Sequence, residues 1–132
     1  MSKELRFEHF AINVADPVAV AGWYCTNLGM KVVRRGDPPV NIHFLADAGG
    51  RVVLEIYCNP PDNVPDYPTQ DPQVLHLAFA AADLDAERDR LLSAGATVAA
   101  ETFTTPAGDR LAMLRDPWGF ALQLTERVQT MV

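Results

Sequence analysis

Cysteine is scarce in this sequence. Only Cys25 and Cys58 are present, and they lack the CxxC spacing of a redox motif or a zinc ligand pair. A free cysteine is commonly a small buried hydrophobic residue. We therefore expect two reduced structural thiols, and neither a disulfide framework nor a thiolate-rich structural zinc site.

Basic residues and long apolar segments are also few. Eleven Lys and Arg are opposed by seventeen Asp and Glu, a net charge of −6, whereas binding to a nucleic-acid backbone depends on a basic surface. No segment approaches the roughly 18 consecutive apolar residues of a membrane span. Glu4 and His9 make the start of the chain unlike an export signal. These absences predict a cytoplasmic protein that binds neither nucleic acid nor a membrane.

The composition is that of a single globular domain. The chain has 132 residues, of which 48% are hydrophobic and 21% are charged, close to the average soluble protein. A domain of this length buries roughly two thirds of the surface that its unfolded chain exposes. It is therefore predicted to fold without disulfides or a structural metal.

An internal repeat organises the chain. FEHFAINVADP begins at Phe7 and VLHLAFAAADL begins at Val74. In each segment a histidine is the third residue and an aspartate follows seven residues later. A helix-like stretch comes next, over 18–28 or 84–93, and ends at a glycine, as a left-handed helix stop favours. The matched residues are His9 and His76, Asp16 and Asp83, and Gly29 and Gly95.

Each copy predicts the element order βαβββ. The strand-like runs after the glycine are 31–33, 41–46 and 51–57 in the first copy, and 97–100, 111–115 and 120–125 in the second. DAGG at 47–50 and DPWG at 116–119 predict hairpin turns. Between the copies, 59–73 holds five of the ten prolines, which predicts an extended linker. The expected fold class is α+β, with two paired βαβββ modules that form a cupped mixed sheet around a cleft.

Side chains alternate across a strand, so each predicted strand has two faces. In the first and last strand of each copy, one face is bulky and apolar, and the other is small or polar. That second face carries one residue able to bind a metal. These residues are His9, Glu55, His76 and Gln123.

The four residues have matched spacing, 46 residues from His9 to Glu55 and 47 from His76 to Gln123. If both sheets curl around one cleft, the four side chains converge there. Two imidazoles, a carboxylate and an amide oxygen suit a five-coordinate or octahedral site for a divalent first-row metal, with positions open for substrate. Each residue taken alone is more simply explained as a structural or solvated side chain, and the matched offsets favour the shared site.

Three further residues are weaker candidates. His43 has no counterpart in the second copy, and we expect it at the cleft wall or the surface. Arg51 and Arg115 could each hold an anionic substrate or be ordinary solvated arginines. Sequence spacing does not decide between these alternatives.

The repeat and its motifs resemble the vicinal oxygen chelate superfamily, which includes glyoxalase I, methylmalonyl-CoA epimerase, extradiol dioxygenases and the bleomycin and fosfomycin resistance proteins. The resemblance is carried by FEHFAINVADP, NLGM at 27–30, VVLEIY at 52–57, VLHLAF at 74–79 and RDPWGFALQL at the end of the second copy. It implies one domain over 1–132, with module one at 5–58, the linker at 59–73 and module two at 74–127.

The resemblance also implies functional residues. His9, Glu55 and His76 match the family's metal ligands of strands one, four and five, and Gln123 stands where the last ligand is most often glutamate. That departure counts against dioxygenases and fosfomycin resistance enzymes, whereas glyoxalase I and the epimerases tolerate glutamine at some ligand positions. The metal would be zinc, nickel, cobalt, manganese or iron.

The resemblance therefore implies a glyoxalase-like lyase or isomerase that acts on a small molecule and is often a homodimer with sites built from both chains. Chelation of two neighbouring substrate oxygens stabilises the charge that develops when a carbon-bound proton leaves. Glu55 is the expected catalytic base, as the only obvious base among the four residues, since an amide cannot accept the proton. The alternatives are a metal-free binding protein of the bleomycin resistance type and a dioxygenase of the same fold.

Overall fold

The computed structural model describes residues 3–131. The chain divides into two compact units, the first ending at Pro65 and the second beginning at Asp66. Module one contains β1 (Phe10–Asn13), α1 (Pro17–Asn27), β2 (Lys31–Arg35), β3 (His43–Ala46) and β4 (Val52–Tyr57). Module two contains β5 (Leu77–Ala80), α2 (Leu84–Ser93), β6 (Thr97–Thr104), β7 (Arg110–Arg115) and β8 (Ala121–Glu126). The predicted α+β class and the repeated βαβββ order are confirmed.

The repeated aspartates and glycines begin and end the two helices. Asp16 accepts a hydrogen bond from the Ala19 amide at 3.1 Å, and Asp83 accepts one from the Ala86 amide at 3.2 Å. Each carboxylate satisfies an amide that the first helical turn leaves unpaired. Gly29 and Gly95 follow the helices with φ of 66° and 109°, the left-handed region that favours glycine. These repeat residues are structural.

The two sheets have the same topology. Their strand orders are β1-β4-β3-β2 and β5-β8-β7-β6. The first strand of each module pairs in parallel with the last, and the other pairings are antiparallel. The bulky face of each sheet supports its helix, and it includes Leu54, Ile56, Leu122 and Leu124, all at most 3% exposed. Strand β6 runs four residues further than the 97–100 that the sequence predicted.

The linker is more ordered than an extended chain. Tyr67–Thr69 forms a 3₁₀ turn, and the buried Tyr67 ring packs edge-on against Phe120 at 5.0 Å between centroids. The Arg115 guanidinium donates hydrogen bonds of 2.9–3.1 Å to the carbonyl oxygens of Tyr67, Gln70 and Gly119. The prediction of Arg115 as an anion-binding or solvated residue is therefore wrong, because three backbone acceptors occupy its donors.

Within the part of the chain that the structure describes, no helix combines the length and apolar character needed to cross a membrane.

Candidate functional site

His9 and Glu55 lie together on the open face of the first sheet. Strand β1 begins one residue after His9, and Ala11 is the register partner of Glu55 in β4. Because side chains alternate, His9 shares a face with Ala11, whose methyl group leaves room beside the ring. The His9 Nε2 atom is 3.5 Å from Glu55 Oε1, with side chains 35% and 14% exposed. Two of the four predicted ligands are thus adjacent.

The His9 ring is fixed by its other nitrogen. Nδ1 donates a hydrogen bond of 2.8 Å to Glu8 Oε1, and the ring stands edge-on to Phe44 with centroids 5.7 Å apart. A neutral imidazole that donates from Nδ1 carries its lone pair on Nε2. In that neutral form the lone pair faces Glu55 Oε1, 3.5 Å away. This is the arrangement in which metal-binding histidines are oriented by a second partner.

Module two repeats the construction. Strand β5 begins one residue after His76, and Ala78 is the register partner of Gln123 in β8. His76 Nδ1 donates a hydrogen bond of 2.8 Å to the Pro72 carbonyl oxygen, which can only accept. The lone pair of the neutral His76 ring is therefore also on Nε2. His76 and Gln123 are both half-buried.

The donor set fits a divalent cation. Two ligand atoms, each about 2.1 Å from an ion and separated by 90–110°, lie about 3.0–3.4 Å apart. The 3.5 Å between His9 Nε2 and Glu55 Oε1 is close to that separation. Among residues 3–131, no group of three or more His, Cys, Asp or Glu side chains is placed to hold a metal. His9 and Glu55 would thus supply two ligands to such an ion, and a complete site would need others.

A cavity of about 330 Å³ lies beside this pair in module one. Its lining includes Phe44, which contacts His9, and Glu8, which accepts the His9 hydrogen bond. The remaining lining residues are Val33, Arg34 and Val52. Phe44 and Arg34 were not among the sequence candidates. A regular hairpin around 47–50 would pair Phe44 with Val53, and the register shift between Leu45 and Ala46 places Phe44 opposite Glu55 instead.

Two weaker candidates, His43 and Arg51, bond to residues close to them in sequence. His43 is 4% exposed and is the register partner of the fully buried Ile56, so it lies on the helix-covered face. Its Nδ1 donates to the Asn41 carbonyl oxygen at 2.7 Å. The prediction of a cleft-wall or surface position is therefore wrong. Arg51 pairs with Asp47 at 3.3 Å across the hairpin turn.

Comparison with known proteins places these residues in a family. The model of the Glyoxalase/Bleomycin resistance protein/Dioxygenase superfamily matches residues 6–124, a segment that contains all four candidate ligands. The chain belongs to this superfamily. Its members act on small molecules, commonly use divalent metals and are often dimeric. A search of curated proteins found no match to this chain.

Solved structures agree with the assignment. A glyoxalase family protein from Bacillus cereus superposes with a TM-score of 0.78 at 20% identity, covering 97% of each chain. A mutant of glyoxalase I from Zea mays gives a TM-score of 0.73 at 26% identity over 96% of this chain and 47% of the other. TioX from Micromonospora sp. ML1 gives 0.65 at 19% identity, covering 93% of this chain and 99% of TioX. These likenesses establish the fold and leave the reaction open.

Proposed function

We propose that the protein is a glyoxalase-like, metal-dependent lyase or isomerase that moves a proton on a small substrate bound through two neighbouring oxygens. The observation that carries this proposal is the duplicated pair, His9 with Glu55 and His76 with Gln123, at equivalent register positions of the two sheets. In each pair the histidine Nδ1 donates to an oxygen, which leaves Nε2 free to ligate.

In this proposal the metal ligands are His9, Glu55, His76 and Gln123. Bound there, a divalent cation would stabilise the negative charge that develops on the substrate oxygens as the proton leaves. These four residues would hold the ion, and it would still be able to accept the two substrate oxygens as ligands. Zinc, nickel, cobalt, manganese and iron are the candidate ions.

Glu55 is the proposed base. It is the only carboxylate among the four ligands, and a neutral Gln123 amide cannot accept a proton at its place. Glu55 is 14% exposed. Its β3 register partner, Phe44, lines the cavity, so we expect a molecule seated there to present a carbon-bound proton to Glu55.

We further propose a homodimer in which His9 and Glu55 of one chain and His76 and Gln123 of the other hold one ion. Each module contributes a single histidine and a single oxygen ligand to the open face of its sheet. Two modules are therefore required for four ligands. A symmetric dimer would have two such sites.

The experiment is Glu55→Gln, with Glu101→Gln as the control for an exposed carboxylate on β6. Amide and carboxylate are nearly isosteric, so Glu55→Gln should retain most of the bound metal. Loss of the base should lower turnover of a hemithioacetal or a 2-methyl-branched thioester by about 10²–10⁴-fold. Metal content by elemental analysis and turnover are measured on the same samples, and Glu101→Gln should match the wild type in both.

Wild-type turnover in Glu55→Gln would contradict the assigned base. If the wild type holds none of the candidate metals after reconstitution, the proposed enzyme activity is wrong. The second candidate function, a metal-free small-molecule binding protein of the bleomycin resistance type, is then favoured. The cavity beside His9 favours that second candidate over a dioxygenase, because a binding protein requires only a pocket of suitable size and lining.

A further inference from the structure

A β-bulge on the edge strand of module one determines which side chains reach the cavity beside His9. Val32 pairs with Leu45 and Arg34 pairs with Phe44, so Val33 is the extra residue in β2. In such a bulge two residues oppose one on the partner strand, and side chains are redirected. Val33 and Arg34 both line the cavity with Phe44. The next residue, Arg35, pairs with His43 and lies on the other face.

The Arg34 guanidinium is available to a ligand. Its Cζ atom is 6.0 Å from the centroid of the Phe44 ring, near the outer limit of a cation–π contact. Among residues 3–131, Arg34 forms no ion pair, and Glu8, the acidic residue of the cavity lining, pairs with His9 instead. A guanidinium held over a ring retains its planar edge of N–H donors.

The other lining residues and the cavity volume indicate the polarity and size of the rest of the ligand. Val33, Phe44 and Val52 are apolar, and the volume is about 330 Å³. A cavity of about 150 Å³ holds a benzene molecule, so this one accommodates a single ring with a short substituent. Glu8 also lines the cavity and uses Oε1 to accept the His9 hydrogen bond. Its negative charge disfavours a dianionic phosphate more than a singly charged carboxylate.

We propose, building on the function above, that the substrate is a small carboxylate with a ring-sized apolar body. The carboxylate binds the Arg34 guanidinium, and the apolar body packs on Phe44 between the two valines. In module two the register pair equivalent to Arg34 and Phe44 is Ala100 and Met113, which has neither a guanidinium nor an aromatic ring. The substrate's acidic group is therefore recognised by module one.

The test measures binding to metal-free protein, so that it does not depend on turnover. Phenylacetate and its neutral isostere phenylacetamide are titrated into chelator-treated wild type, and protein amide shifts are followed by NMR. The wild type should bind phenylacetate about fivefold more tightly than phenylacetamide, because a charge-assisted hydrogen bond is stronger than a neutral one. Arg34→Gln should weaken phenylacetate binding about tenfold and change phenylacetamide binding less than about twofold.

Arg35→Gln is the matched control, since it removes the same charge from the adjacent position on the opposite face. It should leave both affinities within about twofold of the wild type. Equal affinity of the wild type for the two probes would overturn the proposal, as would equal losses in Arg34→Gln and Arg35→Gln. Tighter binding of phenylphosphonate than of phenylacetate would overturn the choice of a carboxylate. A failed Glu55→Gln test leaves these binding results intact, so the two proposals fail separately.

Discussion

The two modules have one backbone plan and different side chains on the open face of the sheet. Glu55 and Phe44 of module one correspond to Gln123 and Met113 of module two, as their strand registers show. The histidines His9 and His76 and the alanines Ala11 and Ala78 are the same in both modules. The duplication thus preserves the register positions of the proposed ligands, while the carboxylate and the aromatic ring at these positions belong to module one. In the proposed enzyme, both modules bind the metal and module one supplies the base and the substrate contacts.

The modules also differ where their first strand ends. Asn13 Nδ2 donates to the carbonyl oxygens of Pro60 and Asn63, and Asn13 Oδ1 accepts from the Asn59 amide at 2.6 Å. One side chain therefore holds the start of the linker beside module one. The corresponding residue of module two is Ala80, which cannot make such bonds, and a cavity of about 260 Å³ lies there.

Loss of either histidine should have the largest effect and tests whether the modules contribute equally to the metal site. His9→Ala and His76→Ala should each weaken metal binding by more than about 100-fold, because loss of a ligand exceeds the effect of losing a ligand's hydrogen-bond partner. Elemental analysis of reconstituted protein measures both. His43→Ala is the control histidine and should retain the metal, with a loss of stability instead.

The same variants test the dimer. If each site uses both chains, a mixture of His9→Ala and His76→Ala chains forms heterodimers in which one of two sites is intact. Random exchange then restores about one quarter of the wild-type metal content. No recovery after exchange would show that the ligands come from one chain. A large effect of one histidine alone would show that the modules are unequal.

Much of the comparison between the modules could be predicted from the sequence, because the internal repeat shows which residues of the two modules are equivalent. The helix boundaries follow from the aspartate caps and the glycine stops, and the strand faces follow from alternation around Glu55 and Gln123. The position of Arg34 in the cavity could not be predicted from the sequence. The face on which its side chain lies depends on the β-bulge at Val33, and no residue there is typical of a bulge. The contacts of Arg115 could not be predicted either. Two of its three hydrogen-bond acceptors are backbone carbonyl oxygens of the linker, which the prolines alone predict to be extended. Position in the repeat could be predicted, and local departures from it could not.

The turn glycines before the last strands provide a second contrast, with an intermediate effect on stability. Gly50 and Gly119 have φ of 84° and 93°, so a Cβ is unfavourable at both. A Cβ on Gly119 would lie 2.8 Å from the Pro68 backbone nitrogen, whereas one on Gly50 would meet nothing within 4 Å. Gly119→Ala should therefore lower the free energy of unfolding by about 3 kcal/mol, and Gly50→Ala by about 1 kcal/mol. Urea denaturation measures both, and equal losses would contradict the close packing of the 3₁₀ turn on module two.

The smallest effect concerns an ion pair found on α2 and not on α1. Arg110 donates to both Asp85 carboxylate oxygens at 2.9 and 3.0 Å, whereas the repeat places the exposed Val18 at the equivalent position of α1. The hydrogen bonds from Arg110 lower the pKa of Asp85 below its ordinary value.

Because the folded-state pKa of Asp85 is lower than its unfolded-state pKa, the unfolded chain binds the proton first as the pH falls. The ion pair therefore contributes its full stability above the ordinary aspartate range near about pH 4, and this contribution disappears as the pH falls through the lowered pKa. Asp85→Asn should be less stable than the wild type at neutral pH, and the two proteins should converge in stability as the pH falls below the lowered pKa of Asp85. Thermal unfolding of both proteins across this range measures the difference.

Val18→Asn, at the equivalent position of α1, should show no such pH-dependent difference from the wild type, since it removes no titratable group. A stability gap between Asp85→Asn and the wild type that is the same at every pH would mean that the carboxylate's charge does not contribute.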